Sequence, residues 1–580
     1  MEREYGSDLI VDMLKALGIK YAALNPGASF RGIHDSLVNY NRETNPEMII
    51  CCHEEIAVAV AHGYAKATGE PMAAIVHDVV GLQHAAMAIY NAWCDKTPIL
   101  VMGGTGPMDT TKRRPWIDWI HTALVQGNFV RDIVKLDDQP MSVGALPNSI
   151  LRGHRVAMTE PKGPVYLCFD LDLQEAKLEQ PIEIPALERF RPAVPLQAEA
   201  GAIKEAAAWL SEAKNPLIIA DYVGRNPQAM LLLVELAEVL GAPVVDRGAR
   251  HNFPNTHPLD LSGREKELVA EADVILGLDV MDLYGALYKH DAKIQTSVPA
   301  FGSGCKIINV TLADFAIKSW STEYMELAPI DLPILADSQV FIPALTEEIR
   351  HQGKVSKSSV EGRIKTLSKQ HDEIRAASRA VLEKRWDESP ISPPRMAQEI
   401  WEVIKDEDWT LVAGAFRGWP RRLWNWEKPN AFLGGYGGGG LGYAPGASIG
   451  AAIGLRDTGT VCIDLQRDGD LLFTSSALWT AASYDVPLLM IMTNNRTYYN
   501  DEEHQERVAV ARNRPPENKG IGMRMEKPPV DFATLAKSFS VYSEGPIEDP
   551  KDIQAAVRRA LKVVKEDRKP ALLDVIIQAI

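Results

Sequence analysis

The sequence predicts an α/β protein with three doubly wound parallel sheets. Short apolar runs of strand length alternate with helical patterns along the 580 residues, which is typical of parallel strands joined by helices. Two stretches lack this alternation: an acidic, proline-containing one at 170–194 and a polar one at 351–384. We therefore predict domains at residues 1–180, 195–350 and 391–580, with residues 351–390 as a linker.

Apolar runs bounded by turn residues define the predicted strands of each domain. They lie at Tyr21–Leu24, Met48–Cys52, Met72–Val76, Pro98–Met102 and Val165–Phe169 in the first domain, at Pro216–Ala220, Pro243–Val245, Val274–Leu278 and Lys306–Val310 in the second, and at Thr410–Val412, Val461–Asp464, Leu488–Met492 and Ala571–Ile577 in the third. Predicted helices include Glu55–Thr68, Gln83–Trp93, Pro445–Gly454 and Ser475–Ser483. The polar, helical segment His351–Lys384 is interpreted as a connector across the surface.

The composition excludes several classes of protein. Hydrophobic residues at 46% and charged residues at 24% indicate a globular chain rather than a disordered or fibrous one. A net charge of −15 without a basic block argues against nucleic-acid binding. The chain has no long apolar run and no N-terminus of signal-peptide type, so we expect no membrane association. Six cysteines without a CxxC pair favour reduced thiols and a cytoplasmic protein.

Oxygen donors follow two neighbouring strands of the third domain. Arg467-Asp468-Gly469-Asp470 comes after the strand at Val461–Asp464, and Asn494-Asn495 ends the next strand region. Parallel strands end at the same edge of a sheet, so these side chains are expected to converge. Asp and Asn oxygens, completed by the backbone carbonyl near Thr497, suit Mg²⁺. The helix predicted at Ser475–Ser483 would add backbone N–H donors for phosphate.

Two further motifs are candidates for ligand binding, one through its backbone and one through an acidic side chain. The glycine-rich run at 434–443 precedes the small-residue helix at Pro445–Gly454, and glycines there let the backbone approach a ligand closely. His53-Glu54-Glu55 lies where the second strand passes into a helix, nine residues before Gly63-Tyr64-Ala65 when counted from Glu54. An acid at this position also suits a helix N-terminus.

In combination, these motifs resemble the thiamine-diphosphate-dependent enzymes of the acetolactate synthase, benzoylformate decarboxylase and benzaldehyde lyase type. The resemblance covers nearly the whole chain and implies a pyrimidine-binding (PYR) domain, a middle domain of transhydrogenase dIII type and a diphosphate-binding (PP) domain. It also implies thiamine diphosphate and Mg²⁺ as cofactors. The first Gly of the metal-binding motif is Arg467 here, which leaves the geometry of that turn open. The segment Asp279–Tyr284 lacks the Arg-Phe that accompanies flavin in relatives, so we predict no FAD.

The resemblance transfers site residues to this sequence. Cofactor-binding candidates are Pro26, Gly27, Gly440, Leu441, Gly442, Asp468, Gly469, Asp470, Asn495, Thr497 and Tyr498, with Asp468, Asn495 and Thr497 as metal ligands. Catalytic candidates are Glu54, His77, His84 and His504, with Glu503 as an alternative to His504. Substrate-pocket candidates are Ala28, Ser29, His121, Trp479 and Tyr499. In such enzymes the glutamate hydrogen-bonds the aminopyrimidine ring, and the residue matched by Leu441 bends the cofactor.

Three functional interpretations remain open at this point. The first is a lyase that cleaves a C–C bond of an apolar or aromatic 2-oxoacid or 2-hydroxyketone and releases an aldehyde through an enamine. The second is a carboligase or 2-hydroxyacyl-CoA lyase, for which Lys112-Arg113-Arg114 or Arg421-Arg422 would supply the basic groove. The third is a non-catalytic, cofactor-binding relative.

The resemblance also makes predictions about assembly and mobility. It implies a homodimer or homotetramer in which Glu54 and Asp468 meet only across a subunit interface, with His121 at the mouth of the partner subunit's site. The polar, proline-bearing segment 507–524 is predicted to be a mobile flap over the site.

Overall fold

The computed structural model describes residues 2–291, 296–318, 326–414 and 416–579. The strands are β1 (Tyr21–Leu24), β2 (Glu47–Ile50), β3 (Met72–Val76), β4 (Ile99–Thr105), β5 (Asp137–Asp138), β6 (Val165–Asp170), β7 (Pro216–Ala220), β8 (Val244–Asp246), β9 (Val274–Leu278), β10 (Tyr288–Asp291), β11 (Thr296–Pro299), β12 (Lys306–Thr311), β13 (Leu332–Leu335), β14 (Trp409–Ala413), β15 (Val461–Arg467), β16 (Leu488–Asn494), β17 (Tyr542–Ile547) and β18 (Ala571–Ile576).

Helices connect these strands on both faces of each sheet. They are α1 (Gly6–Ala16), α2 (Arg31–Asn39), α3 (Glu54–Thr68), α4 (Val79–Cys94), α5 (Asp118–His121), α6 (Leu146–Met158), α7 (Leu171–Glu175), α8 (Ala200–Glu212), α9 (Pro227–Leu240), α10 (Glu265–Glu271), α11 (Leu283–Leu287), α12 (Ser338–Gln352), α13 (Lys357–Lys384), α14 (Pro393–Ile404), α15 (Trp419–Leu423), α16 (Tyr443–Leu455), α17 (Asp468–Phe473), α18 (Ala477–Ser483), α19 (Tyr499–Ala511), α20 (Phe532–Ser538) and α21 (Ile553–Lys562). Among the described residues, no helix has both the length and the apolar content needed to span a membrane.

Three parallel sheets form the framework, which confirms the predicted fold class. The first is six-stranded in the order β2-β1-β3-β4-β6-β5, and the other two are five-stranded, in the orders β13-β12-β9-β7-β8 and β14-β15-β16-β18-β17. Their strands read as continuous apolar runs because both faces are covered by helices. By compactness the chain separates into two units, one made of 1–192, 385–417 and 436–580, the other of 193–384 and 418–435.

The first unit holds the first and third sheets, and two helices join them. α3 and α16 pack at backbone distance, since a Cβ placed on Gly63 would lie 1.8 Å from the carbonyl oxygen of Ala447, and one on Gly450 equally close to that of Val60. The hydroxyl of Thr480, at α18, also donates to the backbone carbonyl of Ile50 (3.0 Å). The carboxyl end of β2 is thereby held against the third sheet's helices.

The second unit contains the middle sheet and α13. In the sequence α13 looks like a polar connector, but Leu367 is buried in the core of this unit, and Ile364 and Ile374 pack against that core. α13 therefore packs on the core through a narrow apolar stripe, and the helix is part of the middle unit rather than a free linker. An antiparallel hairpin of β10 and β11 was also not predicted.

The segment predicted as a mobile flap is folded back along its own chain. It includes the last part of α19, and its far end returns to the residues that precede this helix. Tyr498 N–H donates to the carbonyl of Met523 (3.1 Å), and Met525 N–H donates to that of Arg496 (2.8 Å). Lys519 and Glu506 form an ion pair of 2.6 Å across the same segment. These contacts give residues 499–525 a defined path, and the mobility of the flap stays a prediction.

Candidate active site

Functional side chains of the first sheet gather at the carboxyl ends of β1, β2 and β3. These three strands are neighbours in the sheet, so the residues that follow them are brought together although they are far apart in sequence. Asn25 and Ser29 follow β1, Glu54 follows β2, and His77 follows β3. This is the edge at which open parallel sheets bind ligands.

Glu54 is buried in the first turn of α3 and held by two polar contacts. Its side chain is 4% exposed, Asn25 Nδ2 donates to Oε1 (3.0 Å), and His84 Nδ1 lies 3.2 Å from Oε2. A Cβ on Gly81 would lie 2.8 Å from Oε1, so glycine there makes room for the carboxylate. The arrangement fixes the carboxylate in one orientation, with His84 in contact with it.

A second polar cluster lies around His77. Its Nδ1 is 2.8 Å from Ser29 Oγ, and its Nε2 is 3.4 Å from Asp78 Oδ2. His121, from the same chain, brings its Nδ1 to within 3.3 Å of the same oxygen. Burial raises the pKa of Asp78 to about 6, and burial together with the nearby His121 lowers the pKa of His77. Ser29 rather than Ala28 therefore makes the polar contact that follows Pro26-Gly27.

The other predicted residues after β1 make no polar contact with this cluster. Pro26, Gly27 and Ala28 line a separate, shallow cavity with Arg31 and His34. Gly27 still contributes to the site, because a Cβ there would lie 2.8 Å from the His77 ring. Its lack of a side chain lets the imidazole pack against the loop.

The third sheet supplies the predicted magnesium ligands. Asp468 starts α17 beyond β15, and its carboxylate oxygens accept hydrogen bonds from the N–H groups of Gly469 (2.8 Å) and Arg496 (2.7 Å). Asn495 Oδ1 accepts from Thr497 N–H (3.1 Å). Burial raises the pKa of Asp468 to about 6, so a cation beside it would stabilise the ionised form. A carboxylate, an amide and a backbone carbonyl are the hard donors that Mg²⁺ takes, and the residues fit the ion.

Arg467 does not distort the turn before Asp468. Its φ of −81° and ψ of 144° are extended backbone that any residue adopts, so glycine is not required at this position. Its guanidinium donates to the Tyr436 hydroxyl (2.8 Å). By contrast, a Cβ on Gly469 would lie 2.6 Å from the Tyr498 ring, which makes Gly469 the glycine that the local packing requires.

A cavity of about 560 Å³ opens beside these ligands. The predicted residues that line it are Leu441, Asp468, Gly469, Asp470, Asn495, Thr497, Tyr498 and Tyr499. Gly442 adjoins them, because its N–H donates to Asp470 Oδ1 (2.6 Å), and its φ of 93° favours glycine. Gly440 N–H points to Asn91 Oδ1 at 3.4 Å.

His504 and Trp479, which are predicted site residues on helices of the third domain, do not line this cavity. His504 is exposed on α19 and is absent from the cavity wall, whereas Glu503 lines the wall and contacts Arg417 (3.1 Å). Trp479 is 37% exposed and also lies outside the wall. A helix presents successive residues about 100° apart, so a motif cannot tell which of two neighbours faces the site.

Sequence reasoning missed the residues of the cavity wall that follow two other strands of the third sheet. Phe416 and Arg417 follow β14, and Ile577 follows β18. Their position in the sequence could have identified them, because residues that follow the strands of one parallel sheet lie at the same edge of that sheet. Arg417 also lies 5.2 Å from the Tyr499 ring centroid, which places a cation over one aromatic wall.

Glu55 lies between the two sheets of this unit. A Cβ on Gly442 would lie 2.9 Å from its carboxylate, and its pKa is raised to about 7, first by burial and second by the nearby Asp470. Glu54 itself is not in the cavity wall of its own chain. That Glu54 meets Asp468 only across a subunit interface therefore stays a prediction.

We expect Glu55→Gln to stabilise the protein at high pH only. The folded-state pKa lies above the ordinary value of 4.5, so ionisation of Glu55 opposes folding as pH rises from 4.5 towards 7. Thermal unfolding of the cofactor-free protein at pH 8 is expected to shift up by roughly 2 °C in the variant, with little change at pH 4.5. An equal shift at both pH values would refute this assignment.

Comparison with known proteins identifies the domains that carry these residues. Residues 5–129 match the description "Thiamine pyrophosphate enzyme, N-terminal TPP binding domain", residues 203–345 the central domain, and residues 412–575 the C-terminal TPP binding domain. The chain belongs to the thiamine pyrophosphate enzyme family. Within this family, it is 24% identical over 607 aligned positions to a Methanocaldococcus jannaschii protein named "Probable acetolactate synthase large subunit", covering 99% of this chain and 92% of the relative.

Solved structures show the fold of this thiamine pyrophosphate enzyme over its full length. Benzoylformate decarboxylase from Polynucleobacter necessarius superimposes with a TM-score of 0.78 at 18% identity, covering 99% of both chains. A thiamine diphosphate-dependent 4-hydroxybenzoylformate decarboxylase from Rhodococcus jostii gives 0.77 at 20% identity, again over 99% of both.

Proposed function

We propose that the protein is a thiamine-diphosphate-dependent C–C lyase. Its substrate is a 2-oxoacid or 2-hydroxyketone with an apolar or aromatic side chain, and its product is an aldehyde. The observation that carries this proposal is the cluster of Ser29, His77, Asp78 and His121. Release of an aldehyde needs a proton at the carbon that loses its substituent, and an imidazole of this cluster can deliver it.

The family's cofactor fits the residues that face the cavity. Thiamine diphosphate, when bound, supplies the nucleophilic carbon and accepts the electron pair of the broken bond. Asp468, Asn495 and the Thr497 carbonyl would hold Mg²⁺ and, through it, the diphosphate. Leu441 would pack against the cofactor rings, and Glu54 would hold a proton at the aminopyrimidine ring.

The choice of substrate rests on the walls of the cavity. Leu441, Tyr498, Tyr499 and Phe416 supply apolar and aromatic surface, which suits an apolar or aromatic substituent. Both structural relatives named above act on aromatic 2-oxoacids by name, which agrees with this choice. Ser29 Oγ, beside His77, is the group proposed to hydrogen-bond the substrate's carboxylate or hydroxyl.

A carboligase is the second candidate, because the full-length relative is named an acetolactate synthase large subunit. In that case the carbon that has lost its substituent would form a bond to a second carbonyl compound instead of taking up a proton. Binding of a CoA thioester finds less support, because Lys112 pairs with Asp172 (3.1 Å) and Arg114 with Asp118 (2.7 Å). A non-catalytic relative loses its main argument, since the backbone at Arg467 is unstrained.

We also propose that the middle unit binds no FAD. In open α/β sheets a nucleotide binds at the carboxyl ends of the central strands. Here β7 and β9 end in Asp221 and Asp279, and Asp221 accepts hydrogen bonds from Ala249 and Met281 N–H (both 3.1 Å). Asp279 pairs with Arg225 (2.5 Å). Both carboxylates are therefore engaged by groups of the middle unit itself, which agrees with a unit that binds no dinucleotide.

The surface near α5 supports the predicted homodimer or homotetramer. Trp116, Trp119 and Leu124 are 72%, 68% and 76% exposed. Contiguous exposed apolar side chains of this size are typical of protein interfaces. Because they flank His121, a partner chain seated there would lie close to the cluster around His77.

The proposal is tested by CO₂ and aldehyde release from a panel of aliphatic and aromatic 2-oxoacids, with thiamine diphosphate and Mg²⁺ present. We expect equal amounts of the two products, greatest with aromatic substrates. In His77→Ala, aldehyde release is expected to fall by at least about 100-fold because the proton donor is lost.

The matched control is His504→Ala, which removes an exposed histidine of α19 and should change the rate by less than about threefold. Consumption of a 2-oxoacid with 2-hydroxyketone formation in place of aldehyde would favour the carboligase. Absence of CO₂ from every substrate, with 2-hydroxyketones also uncleaved, would contradict the lyase.

A further inference from the structure

Three potential metal ligands converge beside the first sheet, away from the magnesium ligands of the third. Asp78 Oδ2 lies 3.4 Å from His77 Nε2 and 3.3 Å from His121 Nδ1, and all three atoms lie within 4.8 Å of one another. The Asp78 side chain is 3% exposed, whereas those of His77 and His121 are 18% and 24% exposed. The carboxylate is therefore buried behind two imidazoles that solvent reaches.

The two His–Asp separations fit metal ligands better than hydrogen-bond partners. A charge-assisted N–H···O bond is about 2.7–2.9 Å long, which is shorter than either distance here. Zinc binds nitrogen and oxygen at about 2.0–2.1 Å in tetrahedral sites, so neighbouring ligand atoms lie about 3.3–3.4 Å apart. The observed 3.4 Å and 3.3 Å correspond to two edges of such a tetrahedron.

The orientation of the rings also suits one shared ion. His77 and His121 are inclined at 83°, with ring centroids 5.3 Å apart, so two in-plane lone pairs can point to a common position. Ser29 Oγ lies 2.8 Å from His77 Nδ1. A hydrogen bond from Nδ1–H to an oxygen is the usual second contact of a metal-binding histidine, and it leaves the Nε2 lone pair for the ion.

The cluster of His53, Glu54 and His84 is the natural comparison. Its ligand atoms are equally close together, but the rings of His53 and His84 are stacked at 22° with centroids 5.0 Å apart. Stacked imidazoles direct their lone pairs into parallel planes, which do not converge on one ion. His53 Nδ1 also accepts the N–H of Glu55 (3.2 Å).

We propose that His77, Asp78 and His121 form a second divalent metal site, selective for zinc-type ions over Mg²⁺. Two imidazoles and one carboxylate are the ligand set of zinc-type sites, whereas Mg²⁺ prefers oxygen alone. Three protein ligands leave a fourth position for water. Occupancy uses the Nε2 lone pair of His77, so zinc is expected to inhibit any proton transfer by that nitrogen.

The test measures metal binding by the full-length, tag-free protein after chelator treatment and without thiamine diphosphate. Co²⁺ titration is expected to give one equivalent per chain, with the intense visible absorption of a four-coordinate ion, and Zn²⁺ is expected to displace it. Asp78→Asn and His121→Gln should each weaken Co²⁺ binding by at least about tenfold. Mg²⁺ at millimolar concentration should not compete.

Two controls separate this site from other histidines and from misfolding. His351→Ala removes an 81% exposed histidine, and His84→Ala disrupts the comparison cluster, and both should retain the Co²⁺ spectrum. To show that His121→Gln is folded, its binding of thiamine diphosphate in the presence of Mg²⁺ is measured. A Co²⁺ spectrum typical of six-coordination would overturn the proposal. So would a four-coordinate spectrum that is lost in His84→Ala but kept in His121→Gln. This readout involves no turnover, so it is independent of the proposed lyase activity.

Discussion

Glu54→Gln is expected to lower kcat by about 10³-fold while leaving the Kd for thiamine diphosphate within about threefold of the wild type. The amide keeps the size of the side chain and can still contact Asn25, but it neither accepts nor returns a proton. Because Glu54 is buried and oriented by Asn25 and His84, no solvent-exposed acid can take its place. Steady-state turnover and a calorimetric cofactor titration measure the two quantities.

Glu47→Gln is the matched control for this experiment. Glu47 is exposed at the opposite, amino end of β2, so the same substitution there should leave both turnover and cofactor binding unchanged. Turnover of Glu54→Gln within tenfold of the wild type would show that Glu54 is not the proton-handling acid.

Asp468→Asn is expected to weaken Mg²⁺-dependent binding of thiamine diphosphate by at least about 100-fold. Even the loss of a residue that only orients a metal ligand costs about 10–100-fold in metal affinity. The variant loses the charged ligand, while Asn495 and the Thr497 carbonyl remain. Removal of Mg²⁺ from the wild type with a chelator should give a similar loss. Without metal the variant should unfold at a temperature equal to or above that of the wild type at pH 8, because burial disfavours the ionised carboxylate of Asp468.

Asp501→Asn provides the control at the same cavity. Asp501 lines the wall but is exposed at the start of α19, so its loss should leave the cofactor Kd within about threefold. Cofactor affinity that is unchanged in Asp468→Asn, or equally reduced in Asp501→Asn, would contradict the assignment of Asp468 as the metal ligand.

Much of the fold was predictable because parallel strands are buried on both faces. Uninterrupted apolar runs such as Met72–Val76 and Val274–Leu278 coincide with β3 and β9. The apolar run gives less information about strand ends, where a buried strand continues into polar residues, as β15 does to Arg467. α13 was misjudged because a helix needs only one stripe, here including Leu367, to pack on a core.

Site residues could be predicted where a sequence motif specifies them. They could not be predicted where tertiary packing decides which side chains meet. Asp468 and Asn495 follow adjacent strands, and topology alone brings them to one edge. The pairing of His121 with Asp78 spans a long loop that no local pattern constrains. The choice between His504 and Glu503 depends on the rotation of α19, and the exposed histidine shows that the acid faces the cavity.

The extended backbone at Arg467 has a consequence for how such chains are found. A search pattern that demands glycine immediately before the aspartate proposed to bind the metal would miss this protein, although nothing in its local conformation needs glycine. A more selective pattern would require glycine directly after the aspartate, where the Tyr498 ring leaves no space for a Cβ. The position before the aspartate then places no demand on the backbone, and in this chain its arginine side chain serves instead to hydrogen-bond Tyr436.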